Sequence, residues 1–201
     1  MSDTKISALA ALTGANVDPA ADLLEIVDTS TTTNKKIIVN ALAQSMIVLG
    51  TEQASTSGTS IDFTGIPSGT KRITINFVGV STSGTSLFLV QIGDSGGIEV
   101  TGYLGVTSGI GSAVVTQQTG AGFPIYFSAA SSTTSGSLTL NLEDSSDFTW
   151  TVAGVFSDST VPTSSVVSGS KATSAELTQV RITTVNGSDT FDAGVINISY
   201  T

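Results

Sequence analysis

The chain of 201 residues contains no cysteine and no histidine. Without cysteine the fold can use neither disulfides nor thiolate ligands, and the redox compartment is left open. Without histidine it lacks the commonest metal ligand and the commonest general base near neutral pH. A Ser-His-Asp or Cys-His nucleophile is therefore excluded within one chain. Charge is scarce as well. Charged residues make up 11% of the chain, seven basic against 16 acidic, for a net charge of −9 and a pI near 4.1. Phosphate binding draws much of its affinity from clustered Lys and Arg. Here Lys35-Lys36 and Lys71-Arg72 are pairs, not patches, so nucleic acid is not an expected partner. Each pair reads better as charge that blocks edge-to-edge strand pairing. No apolar run approaches the roughly 20 residues that cross a bilayer, so membrane insertion is not expected. The first residues also lack a basic stretch followed by an apolar one, which points to synthesis in a cytosol without a cleaved signal.

What is present is β grammar. Apolar residues are 39% of the chain and the mean hydropathy is +0.31, on a background rich in Ser, Thr and Gly. Too many β-branched and aromatic residues are present for acidic disorder. After residue 60 the pattern is short strands separated by Gly, Ser, Thr or Asp clusters. Ser60 to Phe63 opens the series. Lys71 to Val80 sets Ile73, Ile75 and Phe77 on one face against Arg72, Thr74 and Asn76 on the other, a half-buried strand. Leu87 to Ile92 is apolar on both faces, as a central or covered strand would be. Gly93 to Gly97 is a turn, after which Ile98, Val100, Gly102, Leu104 and Val106 share a face with Tyr103 opposite. Thr107 to Thr119 is the least patterned stretch and reads as a long loop, of the kind that is often functional.

Phe123 to Phe127 is the next strand. Leu138, Leu140 and Leu142 then alternate with polar residues, and Phe148, Trp150 and Val152 do the same. Ser157 to Gly169, with Pro162, reads as a loop. Glu176 to Val185 and Thr190 to Tyr200 flank Asn186-Gly187, whose positive φ angles suit a tight hairpin. Phe191 and Ala193 have one parity while Ile196, Ile198 and Tyr200 have the other. The phase slips at Gly194, so a β-bulge is expected there. Nine or ten strands without a long helix predict an antiparallel β-sandwich or jelly roll, two architectures that the pattern does not separate.

The first fifty residues are built differently. Lys5-Ile6-Ser7-Ala8-Leu9 is followed by Asp22-Leu23-Leu24-Glu25-Ile26-Val27-Asp28, a polar turn from Thr29 to Asn34, and Lys35-Lys36-Ile37-Ile38-Val39. Two apolar runs around a polar turn predict a hairpin. Asn40 is a suitable N-cap for a short helix over Ala41 to Val48. This segment resembles an N-terminal module of tailed-bacteriophage virion structural proteins, of the tail-fibre, head-fibre or decoration type. Their pattern runs KIS-L, DLLPIVD, a polar turn, KKITV and a small helix. Glu25 stands where that pattern has Pro, which leaves the strand unkinked. The stretch from Arg181 through Asn186-Gly187-Ser188-Asp189 to Gly194, with Ile196-Asn197-Ile198 and Tyr200, is similar to a C-terminal ending, RITTVNGTDTFDAG-INI-Y, in virion-associated proteins of the same phages.

The resemblance implies a division into residues 1–50 as a virion-docking or oligomerisation module, 51–60 as a linker and 61–201 as a displayed β-sandwich. The docking residues it implies are Ile6, Leu9, Leu23, Leu24, Ile26, Val27, Ile37, Val39 and Leu42. It further implies a homo-oligomer, commonly a trimer, on the virion surface, with other capsid or tail proteins as partners and a host glycan or protein as a further contact.

Candidate chemistry is sparse. Glu143, Asp144 and Asp147 crowd one Ser/Asp turn, whereas a glycosidase needs two carboxyls flanking a bond at roughly 5–9 Å; turn capping accounts for them. Asp189 and Asp192 lack the dense oxygen set of a calcium loop. Gly93 to Gly97 lacks the Lys and the following helix of a phosphate loop. Trp150 has core parity. Tyr103, opposite an apolar set and so expected to be exposed, and Tyr126 are the candidate receptor contacts. No catalytic, metal or cofactor residues are expected. The best reading is a non-enzymatic virion structural protein of fibre or adhesin type. A capsid decoration, cement or head-fibre protein is the alternative, and a polysaccharide-degrading enzyme a second alternative.

Overall fold

The computed structural model describes the backbone of residues 23–28 and 33–38, and residues 47–160 and 163–201 in full. The chain divides into two compact units, Met1–Ile47 and Val48–Thr201. In the first, β1 (Leu23–Asp28) and β2 (Thr33–Ile38) pair antiparallel, with Leu24 opposite Ile37 and Ile26 opposite Lys35. Residues 29–32 of the predicted turn and residues 41–46 of the predicted helix lie outside the described residues, while Thr33 and Asn34, read as the end of that turn, are already paired strand in β2. At the end of that helix the expectation fails, because Val48 is extended and pairs with Tyr200.

The second unit contains two antiparallel sheets. Its strands, in chain order, begin with β3 (Val48–Leu49), β4 (Gln53–Ala54), β5 (Ile61–Thr64), β6 (Arg72–Thr82), β7 (Phe88–Asp94), β8 (Gly97–Ile98) and β9 (Leu104–Ile110). They continue with β10 (Val114–Thr119), β11 (Phe123–Ile125), β12 (Thr134–Asp144), β13 (Thr149–Asp158), β14 (Ser164–Ala172), β15 (Gln179–Thr184) and β16 (Phe191–Tyr200). The large sheet has the order β10-β9-β14-β13-β12-β6-β16-β3, with β4 also on β16; the small sheet has β11-β7-β15-β5, with β8 on β7. Among the described residues there is no helix. The two sheets share one core, in a β-sandwich-like arrangement. Ile73, Ile75, Phe77, Leu138 and Leu140 enter it from the large sheet, and Phe88, Val90, Ile92, Val180 and Ile182 from the small one.

The period-two runs that predicted strands behave as alternation requires. Ile73, Ile75 and Phe77 are buried while Arg72 is exposed and Thr74 and Asn76 are half-buried. All seven residues of β7 are buried, so this strand is covered on both faces. Phe88 is its anchor. Its ring lies 5.9 Å from Phe77, 4.7 Å from Phe127 and 6.1 Å from Phe191, the last nearly parallel, so it joins three other elements. The other face of β7 is closed by the segment before β11. Gln91 Nε2 donates to Ala121 O at 2.9 Å, and Gly122 sits so tightly on Leu89 that a Cβ there would collide with it.

Five expectations change. First, β15 and β16 are not a hairpin. The turn forms as predicted, with Gly187 at φ 66° and its N–H bonded to Thr184 O, but β15 joins the small sheet and β16 the large one. The two strands thus supply opposite walls of one core, Val180 and Ile182 facing Ile196 and Ile198 across it. Asp189 holds this corner by accepting from Asn186 Nδ2 and Ser86 N. Second, the stretch Thr107 to Thr119 is a strand pair, β9 and β10, and not a loop. Its inward positions on β9 are Gly105, Thr107 and Gly109, all buried and small. Large side chains are excluded because Gly105 abuts Gly122 and Pro124, and Gly109 lies against the Tyr126 ring.

Third, most of the loop read at Ser157 to Gly169 is strand: Ser157 and Asp158 end β13, and β14 begins at Ser164. Pro162 lies outside the described residues. The buried positions of β14, Ser165, Val167 and Lys171, alternate with exposed Ser164, Val166 and Ser168, too polar a run to show a hydrophobic period. Fourth, Phe148 precedes β13 at φ 55°, so it does not share a strand face with Trp150, which is 2% exposed. Fifth, Gln53–Ala54, inside the stretch read as a linker, pairs with β16.

The bulge is where the phase slip placed it. The β16–β6 register shifts between Phe191 and Ala193 and again between Ala193 and Val195, and Gly194 has φ 91°. A Cβ at Gly194 would collide with the backbone of Gly79, so both the angle and the space demand glycine.

Replacement of Phe88, fully buried among three other rings, by Ala is expected to lower unfolding free energy by about 3–5 kcal/mol. Chemical denaturation of the full chain measures this, and a loss under about 1 kcal/mol would mean that the core is not organised around β7.

Candidate functional site

The site is built where an edge of each sheet ends. The large sheet terminates in β10 and the small sheet in β11, on the same side of the molecule as the approach to β7. Between them lies a cleft of about 410 Å³. Buried Pro124 and Phe127 line it together with half-buried Tyr126. Gln117, Gln118 and Thr119 line it from β10, and Thr85, Ser86 and Leu87 from the approach to β7. Val185 and Ser128 complete the lining.

Each lining group is held by a local reason. Tyr126 rests on Gly109, where any side chain would displace the ring, and its backbone N–H reaches Thr107 Oγ1 at 3.3 Å. Ser86 is clamped from both sides, its N–H on Asp189 Oδ2 and its hydroxyl accepting from Asn186 N at 2.9 Å. Val185 N donates to Leu87 O at 2.9 Å, which ties the corner after β15 to the start of β7. Ser128 donates its N–H to Asp158 Oδ2 at 2.8 Å and its hydroxyl to the same oxygen. Burial pushes the Asp158 carboxyl up, but the hydrogen bonds from Ser128 and Thr160 outweigh this and hold it down at about 2.

The lining therefore combines two aromatic residues, half-buried Tyr126 and buried Phe127, with several amide and hydroxyl groups and no charged side chain. Such a surface can stack on an apolar ring face and hydrogen-bond to hydroxyls, which is how neutral saccharides and polar peptides are held. Its volume falls within the roughly 300–1,000 Å³ of small-ligand clefts. It offers no carboxylate, cation or thiol for proton transfer or nucleophilic attack.

The two tyrosines part company. Tyr126 lines the cleft. Tyr103 does not reach the surface: it is 3% exposed, its ring stands edge-on to Phe123 with centroids 5.0 Å apart, and its hydroxyl accepts from Ile92 N at 2.8 Å. The hydroxyl also donates toward Glu99 O at 2.8 Å and Ile92 O at 3.0 Å. Burial pushes the phenol's pKa well up. The expected exposure fails because Ile98 to Val106 is not one strand. Gly102, at φ 79°, breaks it, and β9 starts afresh at Leu104, which is 65% exposed in place of Tyr103.

Tyr103 instead belongs to a buried polar knot. Lys171 Nζ pairs with Glu99, donates to Ala172 O at 2.6 Å and lies 5.6 Å from the Tyr103 ring centroid. Ser174 bridges two carboxylates, its N–H on Glu99 Oε1 and its hydroxyl on Asp94 Oδ2. Burial pushes the Glu99 carboxyl up, and the contacts with Lys171 and Ser174 more than offset it, so it is held below its ordinary value. Buried pairs of this sort survive only when further hydrogen bonds satisfy them. These do, and the knot locks the β7–β8 turn to the segment after β14.

Of the other acidic residues singled out in the sequence, Asp144 and Asp147 cap their own turn and Asp192 ties β16 to β6. Asp144 accepts from Ser146 N and Oγ, Asp147 from Thr149 N, and Asp192 from Ser81 Oγ. Of the implied docking residues, Leu23, Leu24, Ile26 and Val27 lie on β1 and Ile37 on β2. Ile6, Leu9, Val39 and Leu42 lie outside the described residues. The cleft residues that the sequence did not single out, Gln117, Gln118, Ser86 and Ser128, carry no motif. The one available signal was the stretch Thr107 to Thr119, whose end supplies Gln117, Gln118 and Thr119.

Compared with known proteins, the chain matches no family model, no curated protein and no solved structure.

Two measurements check this geometry. Because the folded pKa of Asp158 lies below its unfolded value of 3.8, its stabilising effect is present above about pH 4 and is lost as pH falls through about 2. Asp158→Asn is expected to lower stability at pH 7 by up to about 2 kcal/mol and to converge on the parent chain near pH 2; parallel acid titrations would expose the absence of any such convergence. Tyr103→Phe leaves the Ile92 N–H without its acceptor and is expected to cost about 1–3 kcal/mol in urea unfolding while leaving the cleft unchanged.

Proposed function

We propose that this chain is a non-enzymatic structural protein of a tailed-bacteriophage virion, of fibre or adhesin type. Residues 1–50 dock it to capsid or tail proteins, and the sandwich-like unit is displayed outward, assembled as a homo-oligomer, by resemblance a trimer. The observation that carries the reading is the pair of sequence resemblances at the two ends of the chain. The C-terminal one, Arg181 to Tyr200, coincides with the corner and the bulged strand that close the core between both sheets. The paired strands β1 and β2 fit a compact docking piece, and the neutral cleft at Tyr126 fits a contact with a host glycan or surface protein.

A second reading, a capsid decoration or cement protein, is favoured by one feature. The outward face of the large sheet is nearly free of charge, which suits close contact with neighbouring subunits. The polysaccharide-degrading alternative finds no support in the cleft, whose lining holds no carboxyl pair.

Position on the particle discriminates. Antibody labelling of intact virions is expected to mark a tail or head projection, while regular labelling of the capsid lattice would move the assignment to decoration. Deletion of residues 1–50 is expected to abolish incorporation into particles; unchanged incorporation would refute the docking role. For the cleft, Tyr126→Ala is expected to weaken binding to host cells or their extracted polysaccharide at least about tenfold, a loss of ~1.4 kcal/mol. Release of reducing sugar by the unmodified chain would overturn the non-enzymatic reading.

A further inference from the structure

We infer that the outward face of the large sheet is a self-association surface, packed in solution against a second copy of this chain. The inference rests on the self-association in the reading above, not on its trimer, because a face that packs on its own copy is isologous and closes as a pair.

The face is defined by register. Partners across an antiparallel ladder lie on the same side of a sheet, so one row crosses the sheet from β9 to β16 as Ser108, Val166, Val155, Ser137, Asn76 and Asn197. None of the six is buried. In the middle of the row Val166 and Val155 are direct neighbours, 42% and 60% exposed. The parallel row beside it holds Val106, Ser168, Ala153, Thr139, Thr74 and Ser199. The face is thus an apolar centre within a field of hydroxyls and amides, the composition of an interface core and its rim.

Charge says what covers it. Residues 48–201 carry four basic against eleven acidic residues, a net charge of −7. None of these charges falls in either row. On this face they stand at the strand ends, Arg72, Glu143 and Asp144 at one end and Asp192 at the other. Two copies of an acidic body repel wherever their carboxylates approach, so they can meet closely only across a surface from which charge is absent. A basic partner would instead be drawn to the acidic turns at the rim. Ser, Thr and Asn also both donate and accept, so a copy of the same surface can satisfy the hydroxyls and amides it covers. An extended Lys- or Glu-bearing surface would lose hydration there with nothing to pair.

The area is sufficient. Seven strands at about 4.8 Å spacing make the sheet ~34 Å wide, and strands of six to eleven residues at about 3.3 Å per residue make it ~25 Å long. That is about 800 Å² per copy, the size that a standard specific interface buries on each partner. Isolated surface valines need no explanation. A cross-strand pair of them at the centre of a charge-free field of this size does.

The test uses the full chain and measures mass by light scattering across a concentration series. The unmodified chain is expected to be an oligomer, and Val155→Asp and Val166→Asp are each expected to weaken association at least tenfold. Both positions are exposed, so neither change should lower the unfolding midpoint. Val100→Asp, which adds the same charge at a 56% exposed position between β8 and β9, is expected to leave the oligomer intact. Because the chain has no cysteine, Val155→Cys supplies a second readout, a disulfide-linked pair of chains under mild oxidation. An oligomer that persists unchanged in both aspartate variants would overturn this surface and leave the oligomeric reading standing. A monomer at every concentration would overturn both.

Discussion

The structure depends on the need to cover β7 on both faces. A strand whose seven residues are all buried cannot lie on the outside of a sandwich without help. Its inner side is met by the large sheet through Phe77 and Phe191, and its outer side by the segment Thr119 to Gly122. The second cover has consequences. To reach it, the chain must leave β10, cross over Leu89 and return as β11 against β7. That path places the two sheet edges side by side and leaves the cleft between them. The candidate site is therefore a by-product of closing the core, and its rigidity comes from the same contacts.

Glycine makes the closure possible at two points. Gly109 gives the Tyr126 ring a flat seat, and Gly194 lets β16 pass the backbone of Gly79 while it keeps Phe191 and Ile196 directed inward. In both cases the absent side chain is what allows a larger neighbour to be placed. β9 uses small inward residues for the same reason: Gly105, Thr107 and Gly109 face the interior because Gly122, Pro124 and the Tyr126 ring already occupy the space in front of the two glycines.

The acidic excess is handled locally. Carboxylates at Asp144, Asp158 and Glu176 accept hydrogen bonds from nearby serines, threonines or backbone N–H groups, and these bonds hold their pKa values down. Lys171 neutralises Glu99. Among the described residues charge stands at turns, corners and strand ends, in the Glu99–Lys171 knot and in the Arg181–Asp62 pair across β15 and β5, and the centre of the broad face of the large sheet is left neutral. On the proposed reading of a displayed, self-associating protein, this distribution supplies repulsion at the rim and a charge-free surface where contact is made.

By itself the sequence determined the β class, the strands with a strong period of two, and the bulge. Ile73-Ile75-Phe77 and Leu138-Leu140 could be assigned an inward face because only one alternation buries them, and Gly194 marked the residue at which that alternation must slip. Trp150 was legible as core for the same reason. Local pattern does not contain the choice of partner strand. Asn186-Gly187 specifies a reversal, and a reversal is equally compatible with a hairpin or with a corner between sheets; that β15 and β16 separate is decided by β5 and β7 occupying the two edges of β15. Tyr103 was misplaced because a single positive φ at Gly102 inverts which side every later residue faces. The cleft was illegible for a deeper reason. Its polar residues come from β10, from the approach to β7 and from the segment after β11, stretches with no common motif, and only the packing of two sheets around one buried strand brings them together.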